Sequence, residues 1–178
     1  PLIGQRRPLP LKPESVLLIS GGARGITAEA AVDLGGAFGC QLVLLGRSPA
    51  PELEPLWLKE CASPREIRNC LLERAQGKAS PRDLEAACQR ALANREMLRN
   101  FERIAATGAK PHYRQLDVRD GGAVRAAVDE IRAQIGPLHG VIHGAGVLAD
   151  RLIEEKTDEQ FSQVYDTKVV GLRSLLEA

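Results

Sequence analysis

The chain has 178 residues, and 24 Lys+Arg against 23 Asp+Glu give a formal net charge of +1. That length suits one domain, or a large part of one, and can enclose a real core. Near-neutral charge and 3% aromatic content argue against a nucleic-acid binder, which wants a basic face and stacking platforms. No apolar run reaches the roughly 18 residues of a membrane span, and no signal-peptide pattern opens the chain. The first residue is Pro rather than Met, which reads as a piece of a longer polypeptide.

Residues 1–14 hold four prolines and no periodic pattern, the composition of a semi-rigid linker. From Ser15 the texture changes. Val16 to Ser20 is a continuous apolar run, as expected of a strand buried on both faces. Gly21-Gly22-Ala23-Arg24-Gly25-Ile26-Thr27 follows, then an alanine-rich helix with Ile26, Ala30, Ala31, Leu34 and Ala37 at helical spacing. Gln41 to Leu45 is a second buried strand, closed by Gly46-Arg47-Ser48.

Residues 49–110 read as helical, with no strand candidate. Ser63-Pro64-Arg65-Glu66 is a capping box with Pro at the first helical position, and Ser80-Pro81-Arg82-Asp83 repeats the start signal. The second of these helices is predicted to bury Leu84, Cys88, Ala91, Leu98, Phe101 and Ala105 and to stop at Gly108. Strand and helix then alternate again. His112 to Leu116 is a strand, Asp120 caps a helix with a Val124, Val128, Ile131 and Ile135 stripe, and Gly140 to His143 is a strand. A last helix from Thr157 carries Phe161, Val164, Tyr165, Lys168, Val169, Leu172 and Leu175. This order predicts an α/β fold: a Rossmann-like doubly wound parallel sheet of about four strands, with a two-helix insertion over 51–108.

The four cysteines, 40, 61, 70 and 88, lie 21, 9 and 18 positions apart, without a CxxC pair, so no metal site is expected. They read as thiols of a reducing cytoplasm.

A strand, a Gly21-x-x-x-Gly25 loop and a helix present backbone N–H groups to a pyrophosphate. Positive φ and close ligand approach require the glycines. After the second strand an NAD site would place a carboxylate, but Arg47 stands there, 22 positions past Gly25, with no acid before Glu52. A guanidinium suits the 2′-phosphate of NADPH, and Arg24 adds charge on the same side.

Ser20-Gly21-Gly22-Ala23-Arg24-Gly25-Ile26, Leu45-Gly46-Arg47-Ser48, Leu116-Asp117-Val118, His143-Gly144-Ala145-Gly146 and Lys168-Val169-Val170-Gly171 occur in that order. Together they resemble the short-chain dehydrogenase/reductase superfamily, and within it the ketoreductase domains of type I polyketide and polyunsaturated-fatty-acid synthases. Ala93-Asn94-Arg95-Glu96 and Gly146 to Asp150 resemble the polyunsaturated-fatty-acid type.

The resemblance implies NADPH bound by Gly21, Gly22, Ala23, Arg24, Gly25 and Ile26 of the loop. Gly46, Arg47 and Ser48 would serve the 2′-phosphate side, and Asp117 and Val118 the adenine. Gly144, Ala145 and Gly146 would lie along the ribose toward the nicotinamide. Lys168 matches the lysine of the synthase-type Lys-Ser-Tyr-Asn catalytic set. The implied reaction reduces a β-ketoacyl thioester on an acyl carrier protein to the β-hydroxyacyl form, with other synthase domains as neighbours and neither nucleic acid nor membrane as partner. A serine would hold the oxyanion and a tyrosine would donate the proton.

Two features depart from that pattern. Thr27 stands where the loop usually has a last glycine, and the serine, tyrosine and asparagine are expected beyond Ala178, so this portion alone is expected to be inactive. A non-catalytic Rossmann module of a synthase and a free-standing reductase of a small carbonyl are the alternatives.

Overall fold

A computed structural model describes residues 9–76 and 78–178. Residues 1–8 of the proline-rich stretch lie outside the described residues. Strands β1 (Val16–Ser20), β2 (Gln41–Gly46), β3 (Lys110–Gln115) and β4 (Leu138–His143) form one parallel sheet in the order β3-β2-β1-β4. Ser20 pairs with Leu45 on one side and with His143 on the other, which brings three strand ends to one level. The order reverses at β1, so a crevice opens above the carboxyl ends of β1 and β4.

Both faces of the central strands are buried, as their continuous apolar runs require. Leu17, Ile19, Leu42 and Leu44 point to one face with Ala31, Met97 and Ile104, while Val16, Leu18, Val43 and Leu45 point to the other with Val124, Val128, Ile131 and Leu175. The first face carries α1 (Gly25–Phe38) and α4 (Pro81–Ala106); the second carries α5 (Gly121–Gln134) and α7 (Gly171–Glu177). In β4, Val141 and Ile142 are only half-buried, because that strand pairs on one side alone.

Between β2 and β3 the structure adds a single turn, α2 (Leu56–Lys59), to the two expected helices α3 (Pro64–Arg74) and α4. Ser63 and Glu66 form the expected capping box on α3, and Ser80 caps α4 through the Asp83 N–H. The expected α4 stripe is buried at Leu84 and Cys88 and packs partly buried at Ala91 and Phe101. Its second half buries Met97, Asn100 and Ile104 instead, with Leu98 and Phe101 half-buried and Ala105 exposed. The physical reason is a change of neighbour along a 26-residue helix. The first half packs on α3 and the second on α1 and β3, so no single 3.6-residue stripe describes both.

On α1 the inward face is Ala28, Ala31 and Gly35, while Ile26 is 90% exposed. The predicted last helix is broken in two: α6 (Asp158–Tyr165) and α7 are joined by a π-helical turn over Asp166–Val170, which contains Lys168. Such single-turn widenings re-aim side chains at functional positions. Most of the predicted stripe is left open, with Phe161 at 58% exposure and stacked on Tyr165.

Candidate functional site

Above the strand ends lies a cleft of about 880 Å³, within the size range of cofactor pockets. Its floor is the glycine loop. Gly21 has φ +72°, and a Cβ there would stand 2.9 Å from the Ala145 nitrogen, so only glycine permits this approach of the β1 and β4 loops. Gly25 has φ +63° and open space where a Cβ would go. Thr27 packs against Gly144, which has no side chain, so the missing loop glycine is matched by a glycine opposite.

The expected residues converge on this cleft. Gly21, Ala23, Arg24, Gly25 and Ile26 line it from the loop, Gly46, Arg47 and Ser48 from the end of β2, Asp117 and Val118 from the end of β3, and Gly144, Ala145 and Gly146 from the end of β4. Gly22 is the exception. It is turned into the sheet against Ile19 and Leu44 and serves the loop's packing rather than the cleft's surface.

At one end, the Arg24 guanidinium reaches to 3.4 Å from Ser48 Oγ, while Tyr113 donates its hydroxyl to the Ser48 carbonyl at 2.7 Å. Burial pushes the Tyr113 phenol up from its ordinary value, against the opposing pull of Arg24. Asp117 is gripped by the Arg119 guanidinium at 2.7 and 3.0 Å. That side-chain hydrogen bonding, helped by the Arg119 N–H and charge and least by Arg47, holds its carboxyl below the usual carboxylate range against the opposing effect of burial. Arg47 makes no ion pair among the described residues and lines the cleft.

At the other end, Lys168 Nζ lies over Gly146, 3.1 Å from where a Cβ would stand. A short chain of hydrogen bonds fixes the turn that carries it. His143 Nε2 is 3.0 Å from the Thr167 carbonyl, His143 Nδ1 is 2.7 Å from Ser20 Oγ, and Ser20 Oγ accepts the Ala145 N–H at 3.3 Å. A carbonyl only accepts, so Nε2 carries a proton toward Thr167, while the Ser20 hydroxyl, which can donate or accept, pairs with Nδ1.

The sequence sets Ala93-Asn94-Arg95-Glu96 apart by resemblance alone and gives the segment no role at the cleft. Three successive residues of α4 organise the segment between β2 and α3 and reach the loop. The Asn94 side chain brackets Glu52, accepting its N–H and donating to its carbonyl, both at 2.8 Å. Arg95 pairs with Glu54 and donates to the Leu58 and Cys61 carbonyls. Glu96 Oε1 accepts the Gly25 N–H at 2.9 Å. One turn on, buried Asn100 donates to the Ala23 carbonyl at 3.1 Å, and Arg103 forks onto Glu29 of α1. No local sequence signal tied these residues to a loop more than 70 positions away.

The arrangement can hold an elongated anionic ligand with a phosphate at the Arg24–Arg47 end and a reacting group near Lys168. The described residues contain no cluster of metal-ligating side chains and no helix long and apolar enough to cross a membrane.

Residues 15–178 match the model of the KR domain family. The chain is 36% identical over 173 residues to a polyunsaturated fatty acid synthase protein of Thraustochytrium sp., an alignment spanning 92% of this chain and 6% of that protein. It superposes on the crystal structure of a ketoreductase domain from the bacillaene assembly line with a TM-score of 0.65 at 30% identity, covering 94% of this chain and 30% of that one. A ketoreductase from the macrolactin assembly line gives 0.64 at 25% identity, covering 92% and 25%. The chain thus spans a small part of the proteins it matches.

Proposed function

The chain belongs to the KR domain family, a branch of the short-chain reductases found in polyketide and polyunsaturated-fatty-acid synthases, and from that premise we propose that it is the NADPH-binding portion of such a ketoreductase. The reaction of the complete domain is reduction of a β-ketoacyl thioester, presented on an acyl carrier protein, to the β-hydroxyacyl thioester. The observation that carries the cofactor choice is the gathering of Arg24, Arg47 and Ser48 at one end of the cleft without a carboxylate at the tip of β2. A 2′-phosphate there gains charge-assisted bonds that a plain ribose hydroxyl does not.

The chain's residues divide the remaining work by position. The loop amides and the α1 N-terminus receive the pyrophosphate. Gly144 to Gly146 let the ribose and nicotinamide lie against backbone. NADPH, when bound, supplies the hydride. Lys168 holds a positive charge at the nicotinamide end, where it favours the ionised form of a tyrosine proton donor. Two hydroxyls lining the cleft are already engaged. Thr167 gives its proton to the Gln163 carbonyl, and Tyr113 is committed at the opposite end.

Calorimetric titration with NADPH and with NADH tests the reading. Tighter binding of NADPH supports it, and equal affinity or no binding contradicts it.

A further inference from the structure

Outside the cleft, the segment between β2 and α4 brings two thiols together. Cys61, just past α2, and Cys70, within α3, place their Sγ atoms 2.9 Å apart. A disulfide needs about 2.05 Å, so closing the gap takes roughly 0.9 Å of movement. The encounter is built into the packing. Cys61 is 3% exposed in a cluster with Leu58, Ile67 and Cys88, and Cys70 is half-buried at its rim. Arg95 clamps the Leu58 and Cys61 carbonyls, which fixes the turn against α4. Cys88 points elsewhere, toward the Pro64 carbonyl at 3.6 Å.

We propose that Cys61 and Cys70 are a redox-active dithiol whose substrates are low-molecular-weight disulfides, ending in an intrachain Cys61–Cys70 bond. The thiolate of Cys70, the less buried of the two residues, attacks one sulfur of the small disulfide and forms a mixed disulfide while the other half leaves as a thiolate. Cys61 then gives up its proton and attacks the Cys70 sulfur, expelling the second small thiolate. Two protein thiols lose two protons and two electrons, and one small disulfide becomes two thiols. The order of attack follows from accessibility, and it agrees with the Cys70 thiol pushing Cys61 up to about 11, which keeps Cys61 protonated until its neighbour is modified.

The test is incubation of the reduced chain with glutathione disulfide, followed by alkylation of the remaining thiols under denaturing conditions and mass mapping. The account expects a chain lighter by about 2 Da before alkylation, from loss of two hydrogens. Cys61 and Cys70 should be linked, Cys40 and Cys88 alkylated, and dithiothreitol should reverse the change. C61S should stop at a stable glutathione adduct on Cys70, and C70S should take up none. Four free thiols in the treated wild type, a persistent adduct on its Cys70, or a link to Cys88 or Cys40 would each overturn the proposal. The wild type carries the decisive reading, so poor folding of either variant leaves it intact.

Discussion

Glu96, on α4, accepts the Gly25 N–H through Oε1 at 2.9 Å, so the first amide of α1 already holds an anion of the protein's own. Arg24, at the N-cap, makes no side-chain capping bond, and the cap is supplied from another helix. A phosphate arriving at this amide meets a carboxylate of like charge. Glu96→Gln keeps an acceptor and removes the charge. We expect the NADPH dissociation constant to fall by roughly threefold to tenfold, about 0.5–1.5 kcal/mol, with a similar change for NADH, which carries the same pyrophosphate. Calorimetry on the two cofactors reads both, and an unchanged or weakened NADPH affinity would remove Glu96 from this role.

Asn100 joins the same helix to the loop from inside the core. Its amide is the buried donor to the Ala23 carbonyl. Asn100→Ala leaves that carbonyl without its partner, at an expected cost of ~1–3 kcal/mol in urea unfolding. Arg103→Ala, which breaks a largely exposed pair with Glu29, should cost much less. Equal losses at the two positions would mean that α4 is not held through the buried bond.

How far the sequence carried differed between the two sides of the cleft. Apolar runs such as Val16–Ser20 and local signals such as Ser63–Glu66 state their structure within a few residues, and these formed as expected, while β3 and β4 each begin two residues before the expected His112 and Gly140. Arg24, Gly25 and Arg47 sit in a strand-loop-helix unit whose geometry is local, so their convergence was legible too. Glu96 and Asn100 were not, because they act across more than 70 residues and lie on a helix whose buried face rotates midway. The Cys61–Cys70 encounter escaped for a related reason: nine positions in sequence did not show that α2 turns back onto α3. The π-helical turn at Lys168 carries no pattern distinct from a continuous helix.

Asp117 and Arg119 give a pH dependence with a defined sign. The folded Asp117 carboxyl titrates below its unfolded value, so the pair's contribution is present above the ordinary aspartate pKa of about 3.9 and fades as pH falls through the lower folded value. Both side chains are about a third exposed, which limits the contribution to under about 1 kcal/mol. The stability difference between wild type and Arg119→Ala, from denaturant titrations, should therefore be constant from neutral pH to about pH 5 and shrink below about pH 4. A difference that grows on acidification would contradict the pairing.

Lys168 stands over Gly146 on a turn tethered through Thr167 and His143. In the complete ketoreductase domain, Lys168→Ala should cut turnover by around 10² or more while NADPH still binds. Steady-state rates beside a binding isotherm separate the two effects, and wild-type turnover would take Lys168 out of the mechanism.

The 2′-phosphate end is decided most directly by cofactor discrimination in Arg47→Ala. The account predicts that the NADPH dissociation constant rises on the order of tenfold, from loss of ~1–3 kcal/mol of charge-assisted bonding, while NADH binding hardly moves. An equal loss for both cofactors, or none for either, would contradict it.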